Sequence, residues 1–133
     1  MFELLFNNIS VLNKVADKDD KAGDHASAAS WRTHDQEAAG LNDAEGQLLQ
    51  EIVLDCLRAL KEQDAKIRTS AEKFRAQLRP GAPILIPPEL VQMDEVRKKI
   101  MSDHIERLRE ALGDTSFNKL DTYVRSWSHA QVK

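Results

Sequence analysis

The sequence predicts an all-α protein, a five-helix bundle built on one long antiparallel helical hairpin. Three observations carry that prediction. Apolar residues recur at steps of three and four through most of the chain, a spacing that keeps them on one face of a helix. Helix-start and helix-stop residues bracket each periodic stretch. All four prolines fall between residues 80 and 88, so no other segment carries the residue that breaks helix interiors.

The longest element is a helix over 42–79. Asn42 is a strong N-cap, because its side-chain oxygen can accept a free backbone N–H, and Glu45 three residues on completes a capping box. Asp43 and Glu45 also set negative charge at the positive end of the helix dipole. Leu48, Leu49, Ile52, Val53, Cys56, Leu57, Leu60, Ile67, Ala71, Phe74 and Leu78 form its apolar stripe. Glu62–Lys66 and Asp64–Arg68 have the favourable acid-before-base order at four residues' separation. At about 1.5 Å per residue such a helix is on the order of 55 Å long, so it needs partners along its length.

The remaining helices follow in order. A first helix over 2–18 carries Leu5, Ile9, Leu12 and Ala16 on one face, and a polar turn from Lys18 ends at Gly23. A second covers 24–39, with Asp24 as N-cap and Gly40 as stop; its apolar content is thin, limited to Ala28, Trp31 and Ala38. Residues 80–88 are extended, since proline removes donors and excludes helical geometry from the residue before it. Pro88 opens a fourth helix over 88–112, whose stripe is Val91, Met93, Val96, Ile100, Met101, Ile105, Leu108 and Leu112. Asp94–Lys98, Glu95–Lys99 and Asp103–Arg107 are expected along its outside, and it should return antiparallel along the long helix. A short fifth helix over 115–128 places Phe117, Leu120, Val124 and Trp127 together, and residues after Ser128 are expected to fray.

Length and composition limit what this assembly can do. A chain of 133 residues reads as a single helical domain, 1–133. Its net charge of -3 argues against nucleic acid as a general partner, because neutralising phosphates needs a basic surplus. No run approaches the roughly 18 apolar residues of a membrane span, so no membrane insertion is expected. The opening MFELLFNNIS lacks the basic region of a signal peptide, and Glu3, Asn7 and Asn8 interrupt its apolar run. One cysteine excludes an internal disulfide, and its place on the stripe of the long helix predicts a buried thiol.

Reaction chemistry leaves little trace. None of His25, His34, His104 and His129 shares an i, i+4 spacing with another, so no two-histidine helix face exists. A metal site would have to be assembled around His25 or His34 with Asp24, Asp35 or Glu37. His104 sits beside the core seam, where a satisfied boundary histidine is the plainer reading. Nucleophile-elbow, P-loop and dinucleotide fingerprints are absent, and no cofactor is implied. Trp31 and Trp127 read as packing residues. Ile84, Leu85 and Ile86 form an apolar trio inside the proline segment; they either cap the end of the bundle, the plainer expectation, or dock a partner.

Three stretches carry a resemblance. LNDAEGQLLQEIVLDC, HIERLREALGDTSFNKLDTYV and the opening FELLFNNISVLNKVAD, together with the proline-rich break, resemble a family of small bacterial all-helical proteins, functionally uncharacterised and often exported. Helix pattern alone is also similar to the periplasmic helical proteins of the Spy and CpxP type, which bind other proteins, although LNDAE stands where those carry LTxxQ. The resemblance implies an extracytoplasmic location, periplasmic or secreted, after removal of an export signal. It carries over no catalytic residue. The expectation is a non-enzymatic protein-binding or scaffolding module that engages a protein partner or a second copy of itself. The alternative is a metal- or small-ligand-binding sensor built on His25, His34 and Asp35.

Overall fold

The structure, a computed structural model, describes residues 2–78, 80–81 and 85–131, with side chains as far as residue 127. It is an all-α bundle of five helices: α1 (Phe2–Lys21), α2 (His25–Ala39), α3 (Asp43–Gln77), α4 (Pro88–Leu112) and α5 (Asp114–Gln131). Two antiparallel hairpins, α1 with α2 and α3 with α4, make the most extensive contacts, and α5 packs against α4 and α2.

The predicted start signals form as physical caps. Asn42 Oδ1 accepts from the Glu45 N–H at 2.8 Å, and Glu45 Oε1 accepts from the Asn42 N–H at 3.1 Å. Asp24 caps α2 by accepting from the Ser27 N–H at 3.1 Å. Gly40 closes α2 in the left-handed region at φ 80°, a conformation that costs a side-chain-bearing residue energy, and its N–H bonds back into the last turn.

Helix ends depart from the sequence prediction at three places. α1 continues to Lys21 instead of stopping near residue 18. Its last turn sets Lys18 and Lys21 beside Asp19 and Asp20, and α2 adds further positive charge at this end. Arg32 reaches Asp17 at 2.8 Å and Asp20 at 2.6 Å, and His25 Nδ1 lies 2.8 Å from Asp20. α3 stops at Gln77, with Leu78 already extended ahead of Pro80; Arg79, the predicted end, lies outside the described residues. α5 runs to Gln131, past the fraying point expected at Ser128.

One apolar core holds the bundle. Leu5, Phe6 and Ile9 of α1, Leu49, Ile52, Val53, Cys56 and Leu60 of α3, Leu108 of α4, and Leu120 and Val124 of α5 are all buried in it. Phe2 stacks on Phe117 with ring centroids 5.5 Å apart, tying the start of α1 to α5. The predicted inward face of α4 holds at Met93, Ile100, Met101, Ile105, Leu108 and Leu112 and fails at two positions. Val91 and Val96 are about half exposed, whereas Leu90, Met93 and Arg97 turn toward the hairpin seam. Counting apolar residues missed that an arginine occupies a seam position.

Two polar ties accompany the core. Asp35, only 3% exposed, accepts from Asn8 Nδ2 at 3.0 and 3.2 Å and from the Tyr123 hydroxyl at 2.7 Å, joining α1, α2 and α5. Arg97 of α4 donates to Glu3 of α1 and to Asp64 of α3. Asp64 therefore pairs across the hairpin and not with Arg68, and Arg107 likewise reaches Asp55 at 3.0 Å instead of Asp103.

Replacing Asp35 by Ala strands two buried or half-buried donors, so denaturant unfolding should show a loss of about 2 kcal/mol. Burial, aided by the Asp35 hydrogen bond, raises the Tyr123 hydroxyl well above its ordinary value of 10.0. The folded protein then keeps a proton that the unfolded chain releases. That contribution to stability is complete below about pH 10 and lost as the pH climbs higher. Unfolding measured on either side of that pH should show a smaller alkaline loss for Tyr123→Phe than for the unsubstituted protein.

Candidate functional site: the hairpin arm

Core contacts cover only the first half of α3. Past Leu60 its one buried residue is Gln63, whose side-chain amide donates to the Met93 carbonyl at 2.9 Å. Beyond that point α3 and the start of α4 leave the bundle as a two-helix arm, roughly 20 Å long for the 14 residues 64–77. Ile67, Ala71 and Phe74 face Leu90 and Met93 along its seam, and each stays only half-buried. Pro88 fits the first turn of α4 because that position needs no N–H donor, and the Pro87 carbonyl accepts from the Leu90 and Val91 N–H groups.

Leu85 and Ile86 stand at the tip, 74% and 72% exposed. They do not close the end of the bundle, as the plainer expectation had it; Ile84 lies outside the described residues. Between the connector and α3 lies a cleft of about 450 Å³, lined by Phe74, Leu85, Ile86, Pro87 and Leu90, with Lys73 and Gln77 at its edge. Ser70, Pro88 and Glu89 complete the lining, so polar and apolar groups share it about equally.

Arg97 marks the base of the arm. Its guanidinium lies 2.8 Å from Asp64 Oδ1 and also holds Glu3, and the two carboxylates raise its pKa, Glu3 more than Asp64. Arg97 was not among the residues that the sequence singled out. Its register with Met93, Ile100 and His104, at steps of four, three and four, was the available signal.

The metal-site candidates stand apart in role. His25 is exposed on Asp20, and His34 is exposed with its ring 6.5 Å from that of Trp31. The Asp35 carboxylate turns inward to Asn8 and Tyr123. Among the described residues no three His, Cys, Asp or Glu side chains gather as a metal site. His104 Nδ1 lies 2.7 Å from the Ile100 carbonyl, satisfied within its own helix, and the His129 side chain lies outside the described residues. Trp127 packs on Tyr123 with ring centroids 5.1 Å apart, but Trp31 is exposed on α2, so the packing expected of it is not realised.

Cys56 is fully buried, with its sulfur 3.7 Å from that of Met101. Burial pushes its thiol up to about 11, and nearby Glu3 adds to the shift. Because the thiolate is the reactive form, thiol reagents near pH 8 should label Cys56 at the rate of protein opening, not at that of a free thiol. Arg97→Met should accelerate that labelling, since it leaves Glu3 and Asp64 without their shared cation at a cost of about 1 kcal/mol.

No helix among the described residues is long and apolar enough to cross a membrane. No family model, curated protein or solved structure matches the chain.

Proposed function

We propose that this protein is a non-enzymatic, helical protein-binding module that presents its hairpin arm to a protein partner. Ile84, Leu85 and Ile86 are the anchors. The observation that carries this reading is the exposure of Leu85 and Ile86 on an arm that projects past the core. Two large aliphatic side chains side by side on a tip lose apolar hydration only when something covers them. Prolines on both sides of the trio narrow the connector's backbone freedom, so less entropy is lost when it is ordered against a partner. The cleft beside Phe74 offers a receiving pocket on the same tip. The sensor reading on His25, His34 and Asp35 draws no support from their placement.

A photo-crosslinking residue at position 86, compared in cells with the same residue at exposed position 30 of α2, tests this. Discrete adducts should form from position 86 and disappear when Leu85→Asp is added. Helical circular dichroism should be unchanged in that variant. Equal labelling from both positions, or none from position 86, would sink the proposal. Adducts at twice the chain mass would identify a second copy as the partner.

A further inference from the structure

We propose that the trough between α1, α2 and the first half of α3 is a second binding site, for an extended peptide segment bearing a basic side chain. It is independent of the hairpin arm and lies at the other end of α3. The trough has a volume of about 590 Å³ and is open along one side.

Its polar lining is ordered in advance. Asn13 Nδ2 donates to Gln50 Oε1 at 2.9 Å, and Gln50 Nε2 donates to the Arg32 carbonyl at 3.2 Å. Those bonds fix two carboxamides that retain free capacity: the Asn13 oxygen can still accept, and each amide nitrogen has a second hydrogen to donate. Gln47, one turn before Gln50, makes no side-chain bond among the described residues and offers both functions. Donors and acceptors thus lie side by side, which is the demand that a peptide backbone makes with its own N–H and C=O groups. From Gln47 to Leu54 the lined face of α3 is roughly 10 Å long, the length of about three extended residues.

Charge and shape select the ligand further. The only guanidinium here, on Arg32, is already shared by Asp17 and Asp20. Glu51 lines the trough with no cationic partner among the described residues, so two lining carboxylates, Asp17 and Glu51, stand against one cation that Asp20 also draws on from outside. This surplus favours Lys or Arg on the ligand and opposes a phosphate. No aromatic side chain lines the trough, so a stacking platform for a base or a sugar ring is missing there. Leu54, exposed at the rim, gives an aliphatic side chain something to cover.

The test is an NMR titration of the isotope-labelled protein with two blocked tetrapeptides, acetyl-Gly-Leu-Arg-Gly-amide and its Glu counterpart. The Arg peptide should shift the side-chain amide signals of Asn13, Gln47 and Gln50 saturably at millimolar concentration. The Glu peptide should bind roughly tenfold more weakly. Glu51→Lys, at an exposed position, should reverse that preference, and Gln47→Ala should weaken both peptides. Leu85→Asp on the arm should change nothing, which separates this site from the arm. The proposal is overturned by the absence of saturable shifts, by shifts that avoid the trough, or by equal binding of both peptides before and after Glu51→Lys.

Discussion

A single helix of 35 residues sets the terms for the rest of this fold. An apolar stripe that long has to be covered along its whole length, and only its first half meets more than one neighbour. Leu49 through Leu60 lie in a core shared with α1, α4 and α5. Past Gln63 the stripe has α4 alone, and two helices packed side by side cannot bury each other fully. Half-buried Ile67, Phe74, Leu90 and Met93 are the direct consequence. Because burial per residue falls from the core outward, the local free energy of opening falls with it, and the arm is the part of the bundle most open to remodelling by contact.

Polar residues are placed where the apolar contacts stop being specific. Leu and Met side chains tolerate sliding and rotation, but Gln63 on the Met93 carbonyl fixes the register of α3 against α4 at one point. Arg97 adds a second constraint one turn further along α4, holding Glu3 and Asp64 together. At the opposite side, Asp35 gathers Asn8 and Tyr123 from two other helices. A carboxylate only 3% exposed is costly to desolvate, and its hydrogen bonds largely offset that cost instead of adding net stability. Their effect is on uniqueness: α1, α2 and α5 satisfy Asp35 in one arrangement.

Much of the fold was legible because its signals are local. The Asn42–Glu45 box, Asp24, Gly40, Pro88 and Gly113 each act within one helical turn, so sequence spacing alone places them. The antiparallel pairing of α3 with α4 was legible too; what escaped reading was the polar pairing between helices. Asp64 has Arg68 four residues away as an apparent partner, yet it pairs with Arg97, 33 residues on. Val96 looked inward by composition, and Arg97 took the inward position because two carboxylates from other elements meet it there. α1 runs on to Lys21, where Arg32, on a different helix, pairs with Asp20. The apolar trio was visible as a feature at 84–86. Whether it capped the bundle or stood clear depended on how far α3 outruns its neighbours, and periodicity does not encode that. The trough was invisible for the same reason: Asn13, Arg32 and Gln50 are unremarkable residues until three helices bring them together.

A continuous helix also decides how two surfaces on it relate to each other. From Gln47 in the trough to Phe74 at the tip cleft, α3 runs 27 residues without a proline or a glycine, roughly 40 Å at helical rise. Such a rod holds its ends at a nearly constant separation, so occupants of the trough and the tip would sit a fixed distance apart. Coupling between them would need a two-state element along the way. The one place where the rod changes its surroundings is the boundary at Gln63, Asp64 and Arg97, where Glu3 brings the start of α1 onto the arm. Any force on the arm that shifts α4 against α3 has to move Arg97, and moving Arg97 breaks its bond to Glu3, while Phe2 on Phe117 and buried Leu5 and Phe6 still hold the first turn of α1. Among the described residues, polar contact between arm and bundle is concentrated at this junction, and beyond it the two proposed surfaces share only the helix that carries them.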